Sequence, residues 1–154
     1  MNGVRKAVII LCLLVAASMQ TITAYAQKGI VFVHGTRDHR IDAEGIYWKV
    51  DFLEQVRNQL DNPAHFLVTG CDFSQYMWHE DSAGCITDQI IGFMTEQKLD
   101  AVSVYTHSHG SNVMRFILSN PTYDPRSLKV QQAVDQLIAV APSSEGTPLA
   151  DEVL

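Results

Sequence analysis

Residues 101–115 constrain the fold of this chain more than any other stretch of its sequence. Residues 101–105, Ala-Val-Ser-Val-Tyr, alternate and are rich in β-branched and aromatic side chains, which predicts a buried strand. Apolar residues at positions 113, 116 and 117 then recur at helical spacing. A strand that runs into a helix within so few residues needs a sharp turn, here centred on Ser108, and small neighbours on both sides of it. Gly110 meets that demand on the helix side.

The run Thr106-His107-Ser108-His109-Gly110 resembles the G-x-S-x-G nucleophile elbow of the α/β-hydrolase superfamily. Its continuation Ser108-His109-Gly110-Ser111 resembles the S-H-G-G of bacterial lipases, and Thr106 stands where the first Gly is usual, a variation that lipases also show. The resemblance implies that Ser108 is the nucleophile and that the backbone N–H of His109 is an oxyanion donor. The alternative is a Ser-Gly turn that merely joins a strand to a helix.

A second part of the resemblance lies near the start of the chain. Residues 28–33, Lys-Gly-Ile-Val-Phe-Val, predict a parallel strand covered on both faces, and His34-Gly35-Thr36 follows at once. In lipase-like hydrolases a strand that ends in H-G-x precedes the loop that supplies half of the oxyanion hole. The resemblance therefore implies that the backbone N–H of Thr36 is the second donor. An ordinary turn at the end of a strand is the alternative.

A serine nucleophile needs a base, and the base needs a carboxylate to orient it. In α/β-hydrolases the acid and then the histidine follow the serine in the chain, but the only histidine after Ser108 is His109, which directly follows it. Residues 141–151 resemble the stretch after the next strand in bacterial lipases, and Gly146-Thr147-Pro148 within them lacks the spacing of a P-loop. The resemblance therefore implies that the triad acid and histidine are not in this chain. Residues 27–154 would be the N-terminal part of a hydrolase domain, inactive alone.

The hydrophobic pattern alternates between strands and helices along the chain. Strands are predicted over residues 28–33, 65–69, 101–105 and 134–140, and helices over 45–60, 82–98 and from 112 onward. Residues 122–130 are predicted to be a loop. This order predicts an α/β fold, a mostly parallel sheet with helices on both faces, in a C-terminally incomplete α/β-hydrolase-like form.

Residues 1–26 have the features of a cleaved signal peptide. Arg5 and Lys6 precede an apolar run over residues 7–17, and Ala24-Tyr25-Ala26 is an A-x-A-like cleavage site before Gln27. The alternative is a membrane anchor, but the run is shorter than the roughly 18 residues that a spanning helix needs. We therefore expect an exported protein, periplasmic or secreted, without a stable membrane span.

Two cysteines remain after the predicted cleavage, Cys71 and Cys85. In an oxidising compartment they are expected to form a disulfide, and a zinc site is the less favoured alternative because further ligands at suitable spacing are missing. The segment that they bracket is rich in aromatic residues. It is either the wall of an acyl pocket or a loop whose aromatic side chains fill a small core of their own.

The net charge of the chain bears on the kind of partner that it could bind. Without Arg5 and Lys6, nine basic residues face 17 acidic ones, a net charge of −8 with histidine neutral, which argues against a nucleic-acid partner. The resemblance implies a carboxylic-ester hydrolase of the lipase or esterase type that acts on a small-molecule or lipid ester without metal or cofactor. A thioesterase or acyltransferase would share the same residues. A non-catalytic exported binding or scaffold protein is the alternative from a different class.

Overall fold

The computed structural model describes residues 26–144 of the chain. Four parallel strands form one sheet: β1 (Lys28–Val33), β2 (Phe66–Val68), β3 (Ala101–His107) and β4 (Val134–Val140). Their spatial order is β2-β1-β3-β4, so β1 and β3 are the two central strands. The predicted strands are confirmed, β3 being two residues longer than expected.

Four α-helices connect the strands: α1 (Val50–Arg57), α2 (Cys85–Gln97), α3 (His109–Ser119) and α4 (Pro125–Ala133). Parallel neighbours require crossover connections, and helices are the usual solution because they cover the faces of the sheet. The predicted α/β architecture is therefore confirmed. A hydrolase-type sheet with further strands goes beyond what these elements show.

The two faces of the sheet are covered by different helices, because successive strand residues point to opposite sides. On one face, the ring of Phe32 contacts Trp48, Phe52 of α1 and Tyr105 of β3, with centroid distances of 5.1, 5.7 and 5.2 Å. Val31 on the opposite face belongs to the main core cluster. The members of that cluster from α2, α3 and α4 are Ile86, Ile90, Phe93, Val113, Met114, Ile117 and Val130.

The first helix is shorter than the hydrophobic pattern predicts, and the second begins with a turn of a different helical type. The expected helix over residues 45–60 begins only at Val50, because Gly45 has a φ of 99° and its N–H donates to the Trp48 carbonyl, which folds the preceding residues into turns. Ile46, counted on the apolar face, is 65% exposed. The expected helix over residues 82–98 begins with a π-helical turn, Glu80–Gly84, and continues as α2.

The predicted loop over residues 122–130 is wrong, since most of that segment belongs to α4. Asp124 caps this helix by accepting a hydrogen bond from the Arg126 N–H at 2.7 Å, and Pro125 occupies the first turn. Proline is favourable there, because the first helical N–H groups have no intrahelical acceptor and its φ is already helical. Val130 and Ala133 are the apolar residues that α4 buries.

Two predictions fall on residues outside the described part of the chain. The signal peptide was assigned to residues 1–26, and the structure describes only the last of these. The lipase-like stretch over residues 141–151 is described only as far as residue 144. Within residues 26–144, none of the helices combines the length and the apolar character that crossing a bilayer requires.

Candidate active site

Ser108 is the single residue between β3 and α3. The strand ends at His107 and the helix begins at His109, three residues earlier than the apolar spacing predicted. The turn is therefore as sharp as a nucleophile elbow requires. Ser108 has φ 52° and ψ −127°, a conformation that residues other than glycine rarely adopt. Its N–H donates to the Val140 carbonyl at 3.1 Å, which ties the turn to the end of β4.

Two glycines allow the backbones around Ser108 to approach each other closely. A Cβ atom on Gly110 would lie 2.0 Å from the His34 main-chain oxygen, far inside van der Waals contact. A Cβ atom on Gly35 would lie 3.0 Å from the Cβ of Ser108 and 2.4 Å from the hydroxyl oxygen of Tyr47. The end of β1 and the start of α3 are therefore in direct backbone contact, and neither glycine position has room for a side chain.

Thr106 departs from the usual elbow glycine, and the structure shows how its side chain is accommodated. Thr106 is fully buried at the end of β3, and its Oγ1 lies 2.8 Å from Oγ of Ser111, which is also fully buried. The same hydroxyl lies 3.3 Å from the Ile138 carbonyl. Because both buried hydroxyls are hydrogen-bonded, the substitution leaves no unpaired polar group at the base of the turn.

The two backbone groups predicted as oxyanion donors lie at the same edge of the sheet. His109 is the first residue of α3, so its N–H is among those without an intrahelical acceptor. Thr36 follows Gly35, which packs against Ser108, and within residues 26–144 its N–H donates to no backbone carbonyl. The chain leaves β1 through α1, which packs on one face of the sheet, and leaves β3 through α3, which packs on the opposite face. In open α/β sheets, ligands bind in the crevice at such a switch point.

His34 is a buried histidine whose two ring nitrogens both have partners. Nδ1 lies 2.8 Å from the Gly35 carbonyl oxygen, and Nε2 accepts a hydrogen bond from the Cys71 N–H at 3.1 Å. The Phe73 ring is stacked on the imidazole at a centroid distance of 4.2 Å. Burial lowers the pKa of His34 to about 4, so the ring is neutral at pH 7.

Four further side chains surround this edge, and the sequence assigned a role to none of them. The Tyr47 hydroxyl is hydrogen-bonded to Nδ1 of His107, and Nδ1 of His39 lies 2.7 Å from a carboxylate oxygen of Asp42. The rings of His39 and Tyr47 are in edge contact at 4.7 Å. Burial raises the pKa of the Tyr47 phenol, which therefore stays protonated at neutral pH. His39, Asp42 and Tyr47 lie soon after the His34-Gly35 pair in the sequence, whereas His107 belongs to the run that resembles the elbow.

No histidine of the described chain is hydrogen-bonded to the Ser108 hydroxyl. His34 has both nitrogens engaged by backbone groups, and His107 has its Nδ1 engaged by Tyr47. His79 Nδ1 accepts from the Asp81 N–H in the distant aromatic loop. His39 lies at the same edge of the sheet, beside His34, and its ring is oriented by the carboxylate of Asp42. The prediction that the base comes from elsewhere stays a prediction.

The predicted disulfide is confirmed, since Cys71 and Cys85 are bonded with a Cα–Cα distance of 6.0 Å. Their sulfurs are therefore not available as zinc ligands. The aromatic residues of the loop between them have different environments. Phe73 belongs to the buried core. Tyr76 and Trp78 stack on each other at 5.0 Å and are 68% and 47% exposed. Neither of the two alternatives for this loop accounts for all of its aromatic residues.

Two cavities help to place a ligand-binding region. One of about 620 Å³ lies at the opposite end of the sheet and is lined by Lys28, Asp61 and His65 among others, with no serine in its lining. The other, of about 330 Å³, follows the exposed side of α3 and is lined by Met77, Asn112 and Phe116 among others. Asn112 comes one helical turn after Ser108, so this groove begins beside the elbow.

Fold and site together define an α/β protein with a strained serine at the carboxyl edge of a parallel sheet, flanked by Gly35 and Gly110, where neighbouring groups approach closely. Compared with known proteins, the chain matches no protein-family model and no curated protein.

Proposed function

We propose that the protein is a serine hydrolase of carboxylic esters, of the lipase or esterase type, which works through an acyl-enzyme on Ser108. The observation that carries this proposal is the backbone of Ser108, with φ 52° and ψ −127° between β3 and α3. A strained conformation costs about 1–3 kcal/mol and persists where the surrounding structure over-determines it, which is common at active sites. A serine in a mere connection would need no such turn.

The chemistry follows from the position of the hydroxyl. Oγ of Ser108 attacks the ester carbonyl carbon while a base takes its proton, and the carbonyl oxygen becomes the oxyanion of a tetrahedral intermediate. Collapse of the intermediate expels the alcohol, which receives the proton from the base, and leaves the acyl group on Ser108. Water attacks this acyl-enzyme by the same route and releases the carboxylic acid.

The oxyanion would be held by the backbone N–H groups of Thr36 and His109. Both come from the ends of neighbouring elements that Gly35 and Gly110 bring into contact, which supports their convergence on one point. Removal of one such donor costs roughly 2.7–4 kcal/mol of transition-state stabilisation in a well-studied serine protease. Backbone donors on rigid elements need little reorganisation during the reaction.

The base and its orienting carboxylate are not expected among the residues of this chain, because the only histidine that follows Ser108 is His109. This expectation rests on the chain order of α/β-hydrolases, in which both follow the serine. The engagement of His34 and His107 by other partners supports it. The alternative base is His39, whose imidazole is paired with the carboxylate of Asp42.

An ester with an acyl chain is the substrate class that the surroundings favour. The groove beside α3 combines apolar side chains of Met77 and Phe116 with the amide of Asn112, and ligand pockets typically combine an apolar lining with a few polar groups. The disulfide is compatible with an exported protein, and we propose that the chain works in the periplasm or outside the cell.

The test is covalent labelling with a fluorophosphonate ester of the protein expressed from its complete open reading frame. We expect one labelled residue, Ser108, and hydrolysis of p-nitrophenyl esters that Ser108→Ala abolishes. The matched control is Ser103→Ala, on the same strand at an intermediate burial. Labelling of Ser111 or Ser143 would move the nucleophile, and no labelling at all would favour the non-catalytic binding or scaffold protein.

A further inference from the structure

The protonation of the His34 ring is fixed by its two partners. The Cys71 N–H can only donate, so Nε2 of His34, 3.1 Å away, must be unprotonated. The Gly35 carbonyl can only accept, so Nδ1, 2.8 Å away, must carry the proton. His34 is therefore the neutral Nδ1–H tautomer, and each nitrogen is satisfied by a backbone group.

The carbonyl that His34 holds belongs to the peptide unit whose other end is the Thr36 N–H. A peptide unit is planar, and the described chain has no cis peptide bond, so the Gly35 oxygen and the Thr36 hydrogen point in opposite directions. A hydrogen bond that fixes the oxygen therefore fixes the direction of the N–H. Gly35 has no side chain to restrict this peptide, so without the imidazole it would rotate more freely.

We propose that His34 is a positioning residue that aims the Thr36 N–H at the oxyanion, and that the disulfide-anchored backbone of Cys71 selects the tautomer that does so. This inference rests on the proposed function of Ser108. His34 does not touch the substrate. Its ring acts through one peptide unit.

The surroundings of His34 keep the ring from turning. The imidazole is fully buried and stacked on Phe73. Cys71 is bonded to Cys85, and the neighbouring Gly70 exchanges two hydrogen bonds with the Gln89 side chain, at 3.1 and 2.9 Å. The Cys71 N–H, which donates to Nε2, is therefore held by two links to α2, the disulfide to Cys85 and the hydrogen bonds of Gly70 with Gln89. The main-chain oxygen of His34 packs against Gly110, so one residue contacts both the oxyanion loop and the elbow.

The charge state of the ring supports the same role over a wide pH range. Desolvation is the main cause that lowers the pKa of His34 to about 4, with a smaller contribution from His39. The hydrogen bonds with Gly35 and Cys71 and the charge of Asp42 oppose this shift. Tyr47, the other titratable group whose ring faces it, is neutral at these pH values because burial raises its pKa. Below about pH 4 the protonated Nε2 would face the Cys71 N–H, donor against donor. The arrangement should then be lost.

The first test reads the tautomer without using catalysis. Imidazole ¹⁵N spectra of the Ser108→Ala protein between pH 7 and pH 4 give the protonated nitrogen of each histidine, and His34→Asn identifies the His34 signals by their absence. We expect the Nδ1–H form, which is the minor tautomer of free histidine. An Nε2–H or a doubly protonated ring at pH 7 would overturn the inference, whether or not Ser108 is a nucleophile.

The second test compares two amides at position 34 in the active protein. Asn places an amide nitrogen near the position of Nδ1 and can still donate to the Gly35 carbonyl, whereas Gln reaches the position of Nε2 and can only replace the acceptor for Cys71. We expect His34→Gln to lower kcat about 100-fold with KM little changed, because removal of one oxyanion donor has an effect of this size. We expect His34→Asn to retain most of kcat. The Thr36 amide resonance should shift in the Gln variant only.

The outcomes separate the two proposals. Equal kcat in the Gln and Asn variants, with an unshifted Thr36 resonance, would overturn the role of His34 and leave Ser108 as nucleophile. A wild-type protein without ester hydrolysis would contradict the function of Ser108 and so the aiming role, while the tautomer measurement would still decide what holds the Gly35–Thr36 peptide.

Discussion

A Cβ atom on Gly110 would lie 2.0 Å from the main-chain oxygen of His34, so α3 touches the end of β1 through its backbone. Gly110→Ala must separate these two elements. We expect a loss of about 1–3 kcal/mol in the free energy of unfolding, typical of overpacking, although Ala is favoured over Gly in helices by about 1 kcal/mol. Urea denaturation measures the difference, and hydrolysis should fall as the oxyanion donors move apart.

Gly92→Ala is the matched control for this prediction. Gly92 lies inside α2, and a Cβ atom there would meet no other atom within 4 Å. The substitution should stabilise the protein by about 0.5–1 kcal/mol. If both variants were stabilised, the close contact between Gly110 and His34 would not exist in solution.

Replacing Ser108 by glycine should make the protein more stable and inactive. The φ of 52° at Ser108 strains a residue with a side chain, and glycine adopts it readily. We expect Ser108→Gly to raise the unfolding free energy by roughly 1 kcal/mol relative to Ser108→Ala, which keeps the strain. Both variants should lose fluorophosphonate labelling. Equal melting temperatures for the two would contradict the strained turn.

The disulfide should contribute on the order of 3 kcal/mol to stability, since it closes a loop between residues 14 positions apart. Cys71→Ala combined with Cys85→Ala should lower the midpoint of urea unfolding accordingly. The unfolded wild-type protein should show free thiols from these two positions only after reduction. Their appearance without a reductant would contradict the bond.

The stability of the protein should depend on Arg126 in a pH-dependent way. The Arg126 guanidinium donates to Glu80 and Asp124 and holds the pKa of each carboxyl below its usual range. A lowered folded pKa contributes stability that is present above the unfolded value, near 4, and is lost as the pH falls through the folded value. Arg126→Gln should therefore destabilise the protein at pH 7 and progressively less below pH 4.

The matched control for Arg126 is Arg57→Gln, which removes one half-exposed ion pair with Glu44 and the contact of the guanidinium with the Phe66 ring. An isolated surface pair of this kind contributes about 0–1 kcal/mol. A loss of stability from Arg126→Gln that stayed constant from pH 7 to pH 3 would show that the side chain acts through packing rather than through its charge.

His39→Asn should leave ester hydrolysis at the wild-type order of magnitude if the base is not among the residues of this chain. Removal of a general base would instead cost about 10²–10⁴-fold in kcat. Asp42→Asn, which removes the partner of His39, should give the same result as His39→Asn in either case. A large loss in both would identify His39 and Asp42 as the base and its carboxylate.

The sequence was sufficient for the strands and for the turn at Ser108, because alternation and a run of buried residues are strong local signals. It failed for α4, because the only apolar residues that this helix buries are Val130 and Ala133, which give too weak a periodic signal within residues 122–130. It also overextended α1, since Ile46 fits the helical spacing but is exposed. A local pattern cannot show that Gly45 ends up at a positive φ.

The partners of His34 and His107 could not be predicted, since they come from distant parts of the chain. Tyr47 reaches His107 across 60 positions, and the Cys71 N–H reaches His34 across 37. Such contacts depend on the order of the strands in the sheet, which the hydrophobic pattern leaves open. The glycines were more informative, because a residue without a side chain indicates a close approach even when its partner is unknown.

The strand order also determines when the sheet can form during synthesis. β1 pairs with β3 from Lys28 with Ala101 onward, and Gln27 and Asp100 beside that pairing are 73 positions apart. A ribosome adds about 5–20 residues per second, so the apolar residues of β1 wait roughly 4–15 s for that partner. No hairpin shortens the delay, because all described strand pairs are parallel. For that interval only β2 can pair with the Ile-Val-Phe-Val segment, on one of its edges, so the other edge at the future centre of the sheet stays unpaired until β3 is made.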